Sequence, residues 1–179
     1  QSMNIDDKRV LDTFRVSQGR IRSIAIMHEA LYKTNEFSQI DFKQYAVNLL
    51  GDLFDSYWVN RSLVAVDVDI ENIFFDIDTA VLCGLILNEM ISNVLKYAFK
   101  EGSPGRIFLQ CKPDGAGGYV MDFSDNGVGF SQGFDYKNTQ TLGLRLINNL
   151  VGQLDGIVEL DGSSGVKFHI TFKKKRNQP

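Results

Sequence analysis

The chain has 179 residues, 44% of them hydrophobic and 23% charged, with a formal net charge of −3 at pH 7. Length and composition suit one full globular domain with a smaller appendage, and the charge argues against a general nucleic-acid binder, which needs a basic face against phosphates. No apolar run approaches the ~18–20 residues that span a bilayer and no signal peptide is visible, so a cytoplasmic protein, or the cytoplasmic part of a longer one, is expected.

Gln1-Ser2-Met3 reads as the remains of a cloning or protease site, and the rest of the chain as a fragment of a longer protein. From Asp6 to Tyr32, apolar residues recur at spacings of three and four, which predicts a long amphipathic helix. Ser38 to Asp41 reads as a break before a second helix, about Phe42 to Trp58. Val64 to Ile70 alternates apolar with acidic residues, as a half-buried strand does, and Ile73 to Ile77 gives a short second strand. Asp78 or Thr79 is then placed to cap a helix from Ala80 to about Phe99. Arg106 to Lys112 and Gly118 to Ser124 read as strands joined by the hairpin loop Asp114-Gly115-Ala116-Gly117. Gly127 to Gln140 is a polar, glycine-containing loop, and Leu142 to Gln153 a helix. Ile157 to Asp161 and Val166 to Lys173 form a last hairpin through Gly162-Ser163-Ser164-Gly165, ahead of a basic tail. The expected fold class is α+β, a two-layer sandwich of one mixed sheet with helices on one face, preceded by a helical segment.

Three segments carry candidate chemistry. Glu89, Asn93 and Lys96 fall at i, i+4 and i+7, on one face of a helix otherwise rich in Leu, Ile, Met and Val. A carboxylate and an amide in such a setting cost several kcal/mol unless paired or hydrated. Bound phosphate with Mg²⁺ would supply the partner, the Asn93 carbonyl suiting a hard cation and Lys96 the phosphate oxygens. Asp125 ends the apolar strand Tyr119–Phe123, where its carboxylate could accept from an adenine amino group. Gly127 and Gly129 come next at alternate positions and permit close backbone approach. Thr141-Leu142-Gly143 opens a helix, whose free N–H groups favour phosphate. Each segment alone is a weak sign; their order and spacing together make ATP binding the leading reading.

Those segments resemble the N box and the two glycine boxes of the nucleotide-binding fold (the Bergerat type) shared by sensor histidine kinases, gyrase, the Hsp90 chaperones and mismatch-repair ATPases. Leu87-Asn88-Glu89-Met90-Ile91-Ser92-Asn93-Val94-Leu95-Lys96-Tyr97-Ala98-Phe99 and Thr141-Leu142-Gly143-Leu144-Arg145-Leu146 are similar to the histidine-kinase class in particular. Arg20 to Tyr32 looks like the second helix of that class's dimerisation and phosphoacceptor hairpin. The resemblance implies residues 1–37 as part of the hairpin and residues 38–179 as an ATP-binding catalytic domain. It implies ATP and Mg²⁺ as cofactors, Asn93 on the metal, Lys96 near the phosphates and Asp125 reading adenine. Gly127, Gly129, Thr141, Leu142 and Gly143 would shape the backbone around the nucleotide, and the Gly129–Gly143 loop would be a short lid with Phe130 and Phe134 as its aromatic residues. Glu89 takes the place where ATPase members keep a water-activating glutamate. His28 and His169 are expected to be structural, the phosphorylated histidine lying upstream. Implied partners are a response regulator and a second copy joined through the N-terminal helix. The alternatives are an ATPase or serine/threonine anti-sigma-factor kinase of the same superfamily, or a dimerising scaffold that no longer uses ATP. Cys83 and Cys111 are expected as two buried thiols.

Overall fold

The computed structural model describes residues 39–100, 102–130 and 142–173. The expected N-terminal helix with His28, most of the lid with Phe134, Thr141 and the basic tail lie outside the described residues. Among the described residues, three helices, α1 (Phe42–Ser56), α2 (Ile77–Tyr97) and α3 (Leu142–Gln153), accompany seven strands: β1 (Ile40–Asp41), β2 (Val64–Ile70), β3 (Phe74–Phe75), β4 (Gly105–Pro113), β5 (Gly118–Asp125), β6 (Ile157–Asp161) and β7 (Lys167–Lys173).

The main sheet has the order β2-β4-β5-β7-β6. The β2–β4 pair is parallel and the others antiparallel, as follows from a crossover through α2, a hairpin, a second crossover through α3 and a last hairpin. One face is apolar: Ile107, Leu109, Cys111, Met121, Phe123, Phe168, Ile170 and Phe172 are buried with residues from all three helices. The opposite face is polar. One row across it runs Asp69, Gln110, Asp122, His169, Glu159, with Gln110 donating to Asp69 and His169 Nδ1 2.6 Å from Asp122 Oδ1. The outermost strands each bear two exposed acids, Asp67 and Asp69 on β2, Glu159 and Asp161 on β6. The expected two-layer sandwich is therefore what forms, and His169 has a structural place in it.

Local boundaries differ from expectation where tertiary pairing decides. The predicted strand Ile73–Ile77 shrinks to Phe74–Phe75 and leaves the main sheet. It pairs antiparallel with Ile40–Asp41, the stretch read as a break, and Phe42 N donates to Ile73 O. Phe75 holds this two-stranded unit in place: its ring centroid lies 4.8 Å from Phe42, 4.9 Å from Tyr119 and 5.8 Å from Phe172. The long helix starts earlier than expected because its cap is Asp76, neither Asp78 nor Thr79. Asp76 Oδ1 accepts from Thr79 N at 2.9 Å and Oδ2 from the Thr79 hydroxyl at 3.1 Å, a bond to the third helical N–H as an N-cap should make. It ends at Tyr97, short of Phe99, and α1 ends at Ser56, short of Trp58.

α2 is the spine of the core. At 21 residues it reaches the length and apolarity of a membrane span, contrary to the sequence reading, but 72% of its apolar window is buried within the protein. Gly84 inside it lets α1 come close: a Cβ there would occupy the space of the Tyr45 ring. Burial pushes the Tyr45 phenol well above its ordinary value. Cys83 and Cys111 are free and buried. Burial raises both thiols, Cys111 to about 12, which leaves no reactive thiolate near neutral pH.

Candidate nucleotide site

Two packing relationships assemble the candidate residues at one edge of the helical layer. α2 carries Glu89, 3% exposed, and half-buried Asn93 and Lys96. α3 packs alongside α2, and its second residue, Gly143, sits over the first two. A methyl group built on Gly143 would lie 3.1 Å from Glu89 Oε2 and 3.5 Å from Asn93 Nδ2. The backbone of the second glycine segment thus abuts the polar face of the first segment, some 50 residues away in sequence, and the missing side chain leaves a cradle over a carboxylate and an amide. Leu142 stands at the start of α3 with its side chain exposed. Thr141 precedes the described part of the helix.

Asp125 closes β5 and is 5% exposed. Its Oδ1 accepts from Gly127 N at 2.7 Å and its Oδ2 from Val166 N at 3.3 Å. Desolvation raises its carboxyl above the usual carboxylate range, against the opposing pull of those two bonds. A carboxylate has about four acceptor positions, so two bonds leave capacity for a further donor. The next residue is tied to β4: Asn126 Oδ1 accepts from Arg106 N at 2.7 Å, and Asn126 N donates to Arg106 O at 3.2 Å.

The glycines here answer first to the protein itself. A Cβ on Gly127 would collide with the Ala98 carbonyl at the end of α2, and Val128 N donates to that same carbonyl at 2.9 Å. Gly129 has φ +68°, and a Cβ there would collide with Gly162 O. Phe130 N donates to Gly162 O at 2.9 Å. Gly165 (φ +72°) lies directly under Asp125 O. The β6–β7 loop, read from sequence only as a hairpin, is therefore a supporting floor of the Asp125 turn. Gly162 and Gly165 are the residues that sequence reasoning missed, and their one local signal was a Gly-Ser-Ser-Gly spacing that many hairpins share.

Lys96 comes to lie with its Nζ 5.6 Å from the ring centroid of Tyr57, at the end of α1. The structure thus brings Glu89, Asn93 and Gly143 together on one side of α2, Asp125, Gly127 and Gly129 at its C-terminal end, and Lys96 beside α1.

Known proteins resemble this chain in sequence and in fold. The family described as histidine kinase-, DNA gyrase B-, and HSP90-like ATPase matches residues 79–176, and a histidine kinase family matches residues 1–57. The sensor histidine kinase PdtaS of Mycobacterium tuberculosis is 26% identical over 149 residues, 83% of this chain but 28% of that protein. Blue-light-activated histidine kinase 2 of Erythrobacter litoralis is 26% identical over 91 residues, 51% of this chain and 26% of that one. Among solved structures, the histidine kinase domain of the Erythrobacter litoralis EL346 blue-light activated histidine kinase superposes with a TM-score of 0.77. That match covers 89% of this chain and 75% of the other at 19% identity. The Acinetobacter baumannii histidine kinase AdeS gives 0.62 over 94% and 84%, at 16% identity.

Proposed function

Because the chain belongs to the histidine kinase-, DNA gyrase B-, and HSP90-like ATPase family, we propose that it is the catalytic part of a two-component sensor histidine kinase. Residues of α2, the Asp125 turn and the start of α3 bind ATP, and the γ-phosphoryl group passes to a histidine of the dimerisation hairpin and onward to an aspartate of a response regulator. The histidine kinase match over residues 1–57 favours this over the ATPase and serine/threonine kinase alternatives. The observation that carries the reading is the cradle at Gly143, which joins the glycine segment of α3 to Glu89 and Asn93.

A hard divalent cation fits this cradle, since the groups facing it are a carboxylate oxygen and an amide. Mg²⁺, held by Asn93, would neutralise phosphate charge. The protein's remaining task is positioning and electrostatic support. Asp125 accepts the adenine amino hydrogen and thereby selects against GTP, which lacks that donor. Lys96 supplies a cation to the phosphates. The N-terminal end of α3, from Thr141 through Gly143, offers backbone N–H groups to the same charge. Glu89 places a buried carboxylate beside the reacting end. A cytoplasmic location and a homodimer through the N-terminal helix accompany this reading.

Calorimetric titration tests it. ATP binds, more tightly with Mg²⁺ than without, and GTP binds poorly. Labelled ATP leaves no acid-labile phosphate on residues 1–179, His28 included, whereas a chain extended through the preceding hairpin helix becomes labelled. Absence of ATP binding at millimolar concentration would remove the proposal.

A further inference from the structure

Lys96 is a long, flexible side chain asked to meet a phosphate, and such side chains have the most rotamer freedom to lose. Its ammonium sits within the ~6 Å at which an aromatic face attracts a cation, over Tyr57. Tyr57 in turn is presented by an unusual helix end. α1 terminates in the paired bonds of a Schellman motif: Trp58 N donates to Asp55 O at 3.2 Å and Val59 N to Phe54 O at 3.0 Å. The residue that this motif forces into the left-handed region is ordinarily glycine. Here it is Trp58, at φ +54°, with its side chain 90% exposed. The tryptophan therefore bears the steric cost of that backbone conformation with no burial to offset it. The end of α1 is held nonetheless, because Val59 and Tyr57 on either side pack against the core.

We propose that Tyr57 is a positioning residue for polyphosphate binding: its ring face holds the Lys96 ammonium in place at the end of α2, so that a triphosphate meets a cation already ordered. The inference rests on the reading of Lys96 as a phosphate-binding residue. It assigns α1, which sequence reasoning left outside the site, a part in it. Tyr57 touches Lys96 and acts through it.

The test compares ATP with adenosine, which has the same base and no phosphate, by calorimetry on the whole 179-residue chain. Lys96→Met lowers ATP affinity and spares adenosine. Tyr57→Leu lowers ATP affinity about three- to tenfold, again sparing adenosine, the range expected for loss of a partly exposed cation–π contact. Tyr57→Phe, which keeps the ring face, stays within about twofold of the unaltered chain. In the Lys96→Met background Tyr57→Leu has no further effect. If Lys96→Met weakens ATP while Tyr57→Leu does not, or if Tyr57→Phe is as damaging as Tyr57→Leu, the positioning role is overturned and the role of Lys96 stands. If Lys96→Met leaves ATP affinity unchanged, both fall. Should Tyr57→Leu not fold, Tyr57→Met takes its place, keeping apolar bulk without an aromatic face.

Discussion

At the Asp125 end of the site the backbone is pinned against the backbone of other elements, while at the Asn93 end side chains of one helix face the start of another. Around Asp125, three glycines each sit where a Cβ would strike a carbonyl: Gly127 against Ala98, Gly129 against Gly162, Gly165 against Asp125. Around Asn93, the one glycine, Gly143, faces side-chain atoms 3.1 Å and more from its missing Cβ. The first end is part of the fold's framework, and substitutions there act on stability before they act on ligand. The second is built from side chains rather than from pinned backbone, and a substitution at half-buried Asn93 is expected to act on the proposed ligand more than on the fold.

The sharpest way to break that contrast is Gly165→Ala. The new methyl needs a disfavoured backbone conformation and collides with Asp125 O, so a loss of about 3 kcal/mol or more of folding stability is expected from combined strain and overpacking. Denaturant melts check it, and a loss under about 1 kcal/mol would show that the turn yields. Asp125→Ala comes next. ATP affinity falls by roughly 1.5–3 kcal/mol, as for a hydrogen bond to a charged group, and the melt also drops because Gly127 N and Val166 N lose their acceptor. Equal ATP affinity in both proteins takes Asp125 out of the site. Asn93→Ala lowers Mg-ATP affinity about tenfold, ~1.4 kcal/mol, leaves adenosine affinity unchanged and moves the melt by less than about 0.5 kcal/mol. A matching fall for adenosine would make Asn93 a packing residue and erase the difference between the two ends.

The smallest effect concerns protons. Because the folded carboxyl of Asp125 titrates above its ordinary range, the folded protein holds that proton more firmly than the unfolded chain. Its contribution to stability is full below the unfolded value of ~3.9 and is lost as pH rises through the folded one. An adenine amino donor favours the ionised form. ATP binding in mildly acidic buffer therefore releases a fraction of a proton, seen as a binding enthalpy that varies with buffer ionisation heat. Asp125→Asn abolishes that dependence; its persistence would assign the proton elsewhere.

The same contrast explains what could be read from sequence. Residues whose placement comes from helical or strand spacing were legible: the face Glu89–Asn93, the strand end at Asp125, both hairpins, and a mixed sheet covered on one side. Most of what stayed hidden depends on partners distant along the chain. Ile40–Asp41 is two residues long and becomes a strand only because Phe74–Phe75 comes beside it. Asp76 outcompetes Asp78 and Thr79 as cap because it is the residue before the first helical turn, a distinction of a very few positions that propensity does not resolve. Gly162 and Gly165 support a turn some 40 residues earlier, and Tyr57 meets Lys96 only once α1 lies against α2. None of these leaves a local periodic signal.

The acidic borders of the sheet have a consequence for behaviour in crowded solution. An outer strand presents unpaired N–H and C=O groups that a neighbouring molecule can extend into a continuous ribbon, the first step of aggregation. Here one border carries Asp67 and Asp69 and the other Glu159 and Asp161. Two molecules brought border to border at neutral pH meet like charge against like charge, which disfavours ribbon growth. Wherever two copies are tethered close together, such borders keep the sheet from becoming the point of attachment and leave mutual recognition to other surfaces.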